Sequence, residues 1–265
     1  MFPDLPPLGP LHLHSYGIML ALAFWLGSGL LWRVSARRGW DENNVATFCL
    51  VVLVVSVAGA RVFFVATHWG EYAADPWGAL RIWEGGLTLY GGILAAIPAA
   101  ILYCRRARLP VWEVGDAVAP ALAVGTAVGR AGCFLNGCCF GVPTTLPWGV
   151  HFPVHSYAAL QFPGYPVHPS QVYAVLGELA VIGALFAARP LLRRPGQLWW
   201  LFVMLDAVAR YLVDVTRYYE PSAFLGHGLT VSQAISVGLF VLGLAMFAWL
   251  GRGPARVTGA ADARR

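Results

Sequence analysis

Long apolar stretches, separated by short polar segments, dominate this chain of 265 residues. Seven of the stretches approach the length of about 17–25 residues that an α-helix needs to cross the apolar core of a bilayer. They lie near 16–34, 45–67, 86–104, 116–135, 171–189, 197–216 and 230–250. The pattern predicts an all-α polytopic membrane protein with about seven transmembrane helices, organised as a single transmembrane domain over 1–251 and a short cytoplasmic tail over 252–265.

The composition agrees with a membrane protein. Hydrophobic residues make up 58% of the chain and charged residues 12%, with a mean hydropathy of +0.63, whereas about a quarter of the residues of a soluble domain are charged. This balance excludes a disordered chain, a nucleic-acid-binding domain and an ordinary cytosolic enzyme. Residues 1–14 contain no Lys or Arg. Because a secretory signal peptide begins with a basic region, we expect the first helix to be retained.

The distribution of positive charge indicates how the helices are oriented. All 18 basic residues are Arg, and the net charge is +5. Thirteen of them follow the first, third, fifth and seventh apolar stretches, whereas only Arg81 and Arg217 lie in the loops on the other side. Short cytoplasmic loops of membrane proteins are enriched in Arg and Lys. The N-terminus is therefore predicted to lie outside the cytoplasm and the C-terminus inside it.

One of the predicted external loops, over 136–170, is long and contains six Pro residues and no Arg. Loops of that length are usually either functional or disordered. Its aromatic side chains favour a position at the membrane interface, where rings with a polar end are enriched. These side chains are Trp148, Phe152, Tyr157, Phe162 and Tyr165. We expect an ordered external arm.

Three arginines, Arg61, Arg130 and Arg210, fall inside predicted transmembrane helices. A charge there costs about 2.5–3.5 kcal/mol on insertion scales, so each needs a partner or a ligand. The acidic residues of the same bundle are Asp116, Glu178, Asp206 and Asp214. Internal ion pairs are one interpretation, and we favour it for Arg61. Ligand binding is favoured for Arg130, because a planar guanidinium among small residues suits a phosphate group, and for Arg210, which shares a helix face with Asp214.

The fourth apolar stretch ends in Gly129–Gly141, which reads GRAGCFLNGCCFG. Its four Gly residues disfavour a helix, and we expect the helix to unwind here into a tight turn. The segment resembles the signature of the prolipoprotein diacylglyceryl transferase family, roughly G-R-x-G-N-F-x-N-x-E-x-x-G. The matching positions are Gly129, Arg130, Gly132, Phe134, Asn136 and Gly141.

The resemblance extends along nearly the whole chain, and the order and spacing of the motifs make it specific. The further matching motifs are His14–Gly17, Gly59–Arg61, Trp83–Leu87, Tyr90–Gly92, Asp116 with Pro120, His168–Tyr173, the set Arg210, Asp214 and Arg217, and Gln233. Four positions depart from the family pattern. Tyr90 stands where the family often has a catalytic His, Cys133 replaces the signature Asn, and Cys138 replaces the signature Glu. Ala174 replaces a Glu that often follows H-P-S-Q-x-Y. The combination resembles a recurring variant branch of the family.

The resemblance implies an enzyme that moves the diacylglyceryl group of phosphatidylglycerol onto the thiol of a lipobox cysteine in a preprolipoprotein. A thioether would form and glycerol 1-phosphate would leave. It also implies a multi-pass protein of the bacterial inner membrane whose active site faces the external side. It implies no metal or organic cofactor and no nucleic-acid partner.

The resemblance also supplies candidate site residues. The candidate catalytic residues are Tyr90, Arg130 and Arg210, and the candidate substrate-binding residues are Arg130, Tyr16, Asn136, Gln171, Asp214 and Arg217. The arginines would bind the phosphate and stabilise its developing charge. A phenol with a pKa of about 10 is a poor base. Tyr90 could therefore act as a general base, position the substrate through a hydrogen bond, or only pack against its neighbours. For Tyr16 and Asn136 the alternatives without a function are a place in the aromatic belt at the membrane interface and the capping of a turn.

The chain has five Cys residues, and Cys133, Cys138 and Cys139 cluster in the signature segment. A buried Cys is usually a small hydrophobe, which is also our interpretation of Cys49 and Cys104. Two alternatives are a disulfide at Cys138 or Cys139 and a metal site completed by His151, His155 and His168. For His168, fixing the loop ahead of the fifth helix is the simpler explanation.

Other functions remain alternatives to the transferase. A divergent family member could act on a different acceptor or be inactive. A transporter could use the same buried Arg and Asp residues as a substrate path, although no inverted repeat is visible. A metal-dependent membrane hydrolase would need the Cys and His site. A purely structural membrane protein would not require Arg130, Arg210 and Asp214 inside the bilayer.

Overall fold

The computed structural model describes residues 14–73, 75–154, 156–225 and 228–252, and it omits the side chain of Glu84. Apart from Arg252, the predicted cytoplasmic tail lies outside the described residues. The helices are α1 (Ser15–Arg37), α2 (Glu42–Thr67), the short α3 (Trp69–Tyr72), α4 (Leu89–Arg106), α5 (Val111–Asn136), the short α6 (Tyr157–Gln161), α7 (Ser170–Ala188), α8 (Gln197–Thr216) and α9 (Val231–Gly251). Short 3₁₀ turns follow at Pro76–Leu80, Ile82–Glu84 and Pro221–Ala223.

Each of the seven predicted apolar stretches coincides with one long helix, and the described part of the chain contains no β-strand. The all-α membrane class is therefore confirmed. Five helices, α1, α2, α5, α7 and α9, are long and apolar enough to cross a membrane. Helix α4 includes Arg105 and Arg106 within its 18 residues, and α8 carries three charged residues. These charges lower the hydropathy of α4 and α8, so the count of seven spans stays a prediction.

The described residues form two compact units, one over Leu31–Val114 and one that combines residues 14–30 with the described residues of 115–252. In the first unit, α2 packs against α4. The two backbones approach so closely that a Cβ added at Gly59 would lie 2.7 Å from the carbonyl oxygen of Gly91. A Cβ at Gly91 would collide with Phe63. Small residues at such contacts are typical of membrane helices, so helix packing explains the two glycines of the Tyr90–Gly92 motif.

Arg61 lies on α2 and is buried, with 6% of its surface exposed. Its guanidinium donates to five backbone carbonyls of the segment after α3, namely those of Gly78, Ala79, Arg81, Gly85 and Gly86. The cation also faces the rings of Phe64 and Tyr72. Among the described residues the partners of Arg61 are backbone carbonyls of this loop, and the ion pair with a carboxylate that we favoured for Arg61 is not found there.

The second unit is built around α7, α8 and α9, with α8 in contact with both of the others. One buried cluster of this unit consists of Ala119, Ala123, Val181, Leu185, Leu198 and Phe202. Asp116 on α5 accepts hydrogen bonds from the backbone N–H groups of Gly196 (2.9 Å) and Trp199 (3.0 Å). A carboxylate at a helix N-terminus satisfies free N–H groups and favours the helix dipole. Asp116 therefore holds the start of α8.

The predicted arm over 136–170 has a small core of its own. Phe140, Phe152, Ala158 and Val167 are buried together, and Phe162 and Tyr218 pack against them. Backbone hydrogen bonds join Val150 to Val167 in both directions. Trp148, Tyr157 and Tyr165 are exposed, as an interface position requires. Phe152 and Phe162 instead form the core, because two aromatic rings stabilise the arm more when they are packed than when they are exposed.

Candidate active site

Helix α5 carries the signature segment and ends only at Asn136. The prediction that the helix unwinds near Gly129 is wrong for the first half of the segment. Gly132 lies within the helix, and α1 packs closely against it. A Cβ at Gly132 would lie 2.8 Å from the Cβ of Met19 and 3.3 Å from the ring of Tyr16. The chain turns away at Gly137, whose φ of 73° suits a glycine.

The turn brings three thiols together. The Sγ atoms of Cys133, Cys138 and Cys139 all lie within 4.8 Å of one another, and the thiol of Cys138 donates to the backbone carbonyl of Cys133 at 3.8 Å. None forms a disulfide. Cys139 has a φ of 60°, a left-handed conformation that non-glycine residues rarely adopt. Such a conformation persists only where the surrounding structure imposes it.

Neighbouring segments fix the backbone of this turn. The side chain of Gln171, at the start of α7, donates to the carbonyl oxygen of Cys138 at 2.6 Å. The N–H of Gly141 donates to the carbonyl of His168 at 3.0 Å, and the N–H of Val142 donates to that of Thr216 at 2.9 Å. As a result the chain after the turn lies antiparallel to the end of α8 at Arg217.

This pairing places a guanidinium against the thiols. Nη2 of Arg217 donates to Sγ of Cys139 at 3.2 Å, and the guanidinium lies 4.9 Å from the centre of the Tyr219 ring. The pKa of the Cys139 thiol lies below its usual range, because the thiols of Cys133 and Cys138 donate to its sulfur and because Arg217 and Arg130 stabilise the thiolate. The turn therefore combines sulfur ligands with two positive charges.

A second set of charges lies along α8. Nε of Arg210 donates to Oγ of Ser232 at 3.0 Å and lies 3.9 Å from a carboxylate oxygen of Asp214. The other carboxylate oxygen of Asp214 accepts from the hydroxyl of Tyr219 at 2.8 Å. These contacts hold Arg210 by one edge only, since its Nη atoms have no hydrogen bond with any described residue. The Nη donors of its guanidinium are therefore unused among the described residues.

Helix α7 adds Glu178 to this region. Glu178 is buried, and the charges of Asp206, Arg130 and Arg210 act on its carboxyl group. Arg130 itself is half-buried and makes no hydrogen bond or ion pair with a described residue. Unlike Arg61, it has no carbonyl cage. An Arg in this position has its donors ready for a ligand.

Several buried polar atoms of the region also lack a hydrogen bond with any described residue. They include Oε1 of Gln171, Nε of Arg217 and Oδ2 of Asp214. A buried polar atom without a hydrogen bond costs about 1–3 kcal/mol, so such atoms are rare in folded proteins. Two of the three belong to residues that contact the segment from Cys133 to Cys139, which we call the thiol turn. This turn is therefore the candidate site for substrate.

The structure brings most of the predicted site residues together. Tyr16, Arg130, Asn136, Gln171 and Arg217 surround the thiol turn, with Tyr16 close to all three cysteines and Asn136 in contact with Cys138. Arg210 and Asp214 lie together on α8. Tyr90 belongs to the other compact unit, at the start of α4, and is 43% exposed.

The predicted Cys and His metal site does not form among the described residues. His168 contacts the hydroxyl of Tyr173 at 3.2 Å, in agreement with a role in the loop before α7, and His151 is exposed. His155 lies outside the described residues. The cluster of metal-ligating groups in the described part of the chain contains the three cysteines alone. The sequence favoured small buried hydrophobes here, with a disulfide and a Cys and His metal site as alternatives, and the C-x₄-C-C spacing is the signal for a cluster of the three cysteines alone.

Comparison with known proteins identifies the family. The sequence matches the prolipoprotein diacylglyceryl transferase family over residues 3–249. The chain belongs to this family. A relative from Synechococcus elongatus, named phosphatidylglycerol–prolipoprotein diacylglyceryl transferase, is 32% identical over 254 residues, covering 94% of this chain and 87% of the relative. A relative of the same name from Polynucleobacter asymbioticus is 34% identical over 249 residues, covering 89% and 91%. Another from Legionella pneumophila is 32% identical over 258 residues, covering 92% and 96%.

Within the prolipoprotein diacylglyceryl transferase family, the positions at which we expect this chain to depart from the pattern lie in three places, one of which is Ala174 on α7. Cys133 and Cys138 both belong to the thiol cluster beside Arg217 and Arg130. Tyr90 lies in the unit that contains α2 and α4. Two of these positions, Cys133 and Cys138, thus form one cluster with Cys139.

Proposed function

We propose that this protein transfers the diacylglyceryl group of phosphatidylglycerol to the thiol of a lipobox cysteine in a preprolipoprotein. A C–S bond forms at the glyceryl carbon, the C–O bond to phosphate breaks, and glycerol 1-phosphate leaves. The observation that carries the proposal is the family match over residues 3–249, supported by relatives whose names state this donor and this type of acceptor.

The charges of the site suit the proposed leaving group. Arg130 and Arg210 take the catalytic role of stabilising the phosphate, whose negative charge grows as the C–O bond breaks. Arg217 lies beside Cys139 and adds a third positive charge to substrate binding. Asp214 orients Arg210 through the contact at 3.9 Å. A guanidinium held on one edge and open on the other binds phosphate in two parallel hydrogen bonds.

The polar groups around the thiol turn suit the polar part of the lipid and the acceptor peptide. Tyr16, Asn136 and Gln171 offer a hydroxyl and two amides, of which Oε1 of Gln171 is buried and unpaired among the described residues. An unpaired buried acceptor selects a ligand that donates a hydrogen bond. The glycerol hydroxyls of phosphatidylglycerol are such donors. We therefore assign these three residues to substrate binding.

Tyr90 is assigned a catalytic role through its hydroxyl, which polarises the acceptor thiol or relays its proton. Tyr90→Phe removes only that hydroxyl. We expect the transfer rate to fall about 10²-fold or more, as for other losses of a proton-transfer group. The control is Tyr157→Phe, because Tyr157 is exposed on the arm. An unchanged rate in Tyr90→Phe would assign this side chain to packing.

The protein is assigned to the bacterial inner membrane as a multi-pass protein, with the N-terminus outside, the C-terminus in the cytoplasm and the active site toward the external face. The arginine distribution supports this orientation, since thirteen Arg residues follow the odd-numbered apolar stretches. The thiol turn follows the C-terminal end of α5 and leads into the arm. In this orientation that end of α5 is external.

A direct assay tests the function. Purified protein in detergent is mixed with phosphatidylglycerol and a synthetic peptide that carries a lipobox cysteine, and the products are read by mass spectrometry. We expect a diacylglyceryl thioether on the peptide and release of glycerol 1-phosphate. The same peptide with Ser in place of Cys, and phosphatidylethanolamine in place of phosphatidylglycerol, should yield no adduct. Absence of the adduct with folded protein would favour a divergent member with another acceptor.

A further inference from the structure

The cluster of Cys133, Cys138 and Cys139 has the composition of a metal site with one ligand missing. We propose that these three thiolates bind one Zn²⁺ ion and that the sulfur of the acceptor cysteine takes the fourth position. This inference rests on the proposed function, since it assigns to the cluster the task of activating the acceptor. Cys133, Cys138 and Cys139 would thus supply the activation for which the chain lacks the His that the family often has at position 90.

The geometry of the sulfur atoms suits zinc. A tetrahedral site with a zinc–sulfur distance of about 2.3 Å places its sulfur atoms about 3.8 Å apart. The three Sγ atoms already lie within 4.8 Å of one another. Small rotations of the side chains therefore suffice to close the site around an ion.

The backbone of the turn presents the sulfur atoms independently of an ion. The N–H of Cys138 donates to the carbonyl of Cys133 at 3.1 Å, and Gln171 holds the carbonyl of Cys138 at 2.6 Å. The left-handed conformation of Cys139 turns the next residue back toward the end of α8. Strained backbone at a non-glycine residue is common at functional sites, and here it places the third sulfur beside the other two.

The charges around the cluster also suit a zinc thiolate. Three thiolates and one Zn²⁺ carry a net charge of −1, which a buried environment disfavours unless a cation is close. Arg217 donates to Sγ of Cys139 at 3.2 Å, and the positive charge of Arg130 also attracts a thiolate at this position. Groups that donate to metal-bound sulfur orient the ligand and tune the metal.

The open fourth position gives the site a chemical role. Structural zinc sites have four protein ligands, whereas catalytic ones have three and bind water or substrate in the fourth position. No fourth ligand accompanies the cysteines among the described residues. Alkylation of a thiol requires the thiolate, and a thiol that coordinates zinc loses its proton. A three-cysteine site is thus suited to a reaction whose acceptor is itself a cysteine.

The proposed step conserves atoms and charge. The acceptor thiol binds zinc and loses its proton, which passes to solvent directly or through the relay proposed for Tyr90. A sulfur lone pair then attacks the glyceryl carbon that bears the phosphate, so a C–S bond forms as the C–O bond breaks. The bonding electrons leave on the oxygen of glycerol 1-phosphate, where Arg130 and Arg210 neutralise the charge. The thioether product is uncharged and dissociates from zinc, which stays Zn²⁺ throughout.

Metal content is the first test. The full chain is purified in detergent from cells supplied with zinc, and bound metals are measured by mass spectrometry. We expect about one zinc ion per chain, and a loss of at least half of it in both Cys133→Ser and Cys139→Ser. Cys49→Ser is the matched control, because Cys49 lies on α2 and outside the cluster. Folded wild-type protein without zinc, or cysteine variants that retain it, would overturn the proposal.

The fourth position is tested with a spectroscopic substitute that does not depend on activity. Protein loaded with Co²⁺ should show sulfur-to-cobalt charge-transfer absorption, which Cys139→Ser should lack. Addition of a lipobox peptide with Cys should change the visible cobalt bands, and the same peptide with Ser should not. Identical spectra with both peptides would mean that the acceptor does not coordinate the metal, and the proposal would be wrong.

A chelator separates this proposal from the transferase function. If zinc activates the acceptor, removal of zinc abolishes adduct formation and added zinc restores it. Full activity of the zinc-free protein would overturn the metal site and leave the transferase assignment standing. The reverse result is also informative. If the protein binds zinc and the peptide coordinates it but no diacylglyceryl adduct forms, the metal site is correct and the assigned reaction is wrong.

Discussion

Arg61 and Arg130 are the same residue type in the same kind of helix, and they differ in their hydrogen-bond partners. Arg61 is surrounded by five carbonyl oxygens of its own unit. Arg130 makes no hydrogen bond with the described residues and lies near a cluster of thiols. A buried cation with all donors used stabilises the fold, whereas one with unused donors is available for a ligand. Helix position alone does not distinguish the two.

Substitution of Arg130 tests its proposed catalytic role. We expect Arg130→Ala to lower the transfer rate about 10²–10³-fold, the usual effect of removing one donor that stabilises a developing anion. The matched control is Arg106→Ala, because Arg106 is exposed in the last turn of α4. The measurement is the rate of thioether formation by mass spectrometry. Equal rates in the two variants would remove Arg130 from the mechanism.

Gln171 is expected to stabilise the turn as well as to bind substrate. Gln171→Ala leaves the carbonyl of Cys138 without its hydrogen bond at 2.6 Å. A buried acceptor in that state costs about 1–3 kcal/mol, so the midpoint of thermal unfolding should fall by several degrees. Gln161→Ala, on the exposed face of the arm, should leave it unchanged. Equal midpoints in the two variants would contradict a structural role for the Gln171 amide.

At the scale of the elements, the positions of small residues decide which helices touch. Gly59 and Gly91 allow α2 and α4 to meet along their backbones, and Gly132 allows α1 to meet α5 near Tyr16. Apolar contact between helices gains little inside a bilayer, since lipid is equally apolar, so close packing carries the association. The glycines of the motifs therefore position the elements that carry the polar residues.

The contact between α2 and α4 is tested with one methyl group. Gly59→Ala places a Cβ against Ala95 and 2.7 Å from the carbonyl oxygen of Gly91. Overpacking of this kind costs about 1–3 kcal/mol, and we expect a lower midpoint of thermal unfolding in detergent. Gly238→Ala on α9 is the control, because nothing lies within 4 Å of its Cβ. If the unfolding midpoint of Gly59→Ala equals that of the wild type, the close contact of α2 and α4 at Gly59 does not contribute to stability.

At the scale of the whole molecule, the proposed orientation of the helices rests on the distribution of charge. Alkaline phosphatase is active only outside the cytoplasm, so its fusions after Gly78 and Arg217 should be active and those after Arg108 and Arg194 inactive. This set also tests whether α4 and α8 cross the membrane despite their charged residues. The opposite pattern would reverse the proposed topology, and equal activity on both sides of α8 would reduce the number of spans.

The sequence by itself determined the helical architecture and the family. An apolar stretch of about twenty residues crosses a bilayer as an α-helix, because lipid offers no hydrogen bonds and the helix pairs its own backbone polar groups. The positions of the seven long helices therefore agree with the hydropathy pattern. The family was identified by the order and spacing of short motifs along nearly the whole chain, in agreement with a family match over residues 3–249.

Only the tertiary structure decided what each polar residue does. The partners of Arg61 lie 17 to 25 positions away in the chain, and Arg217 meets Cys139 across 78 positions. Contacts over such separations depend on how a turn and a helix end are folded back, and no local pattern contains them. The same applies to the three thiols. Their spacing allows several arrangements, and the turn at Gly137 together with the left-handed Cys139 selects the one in which the sulfur atoms converge.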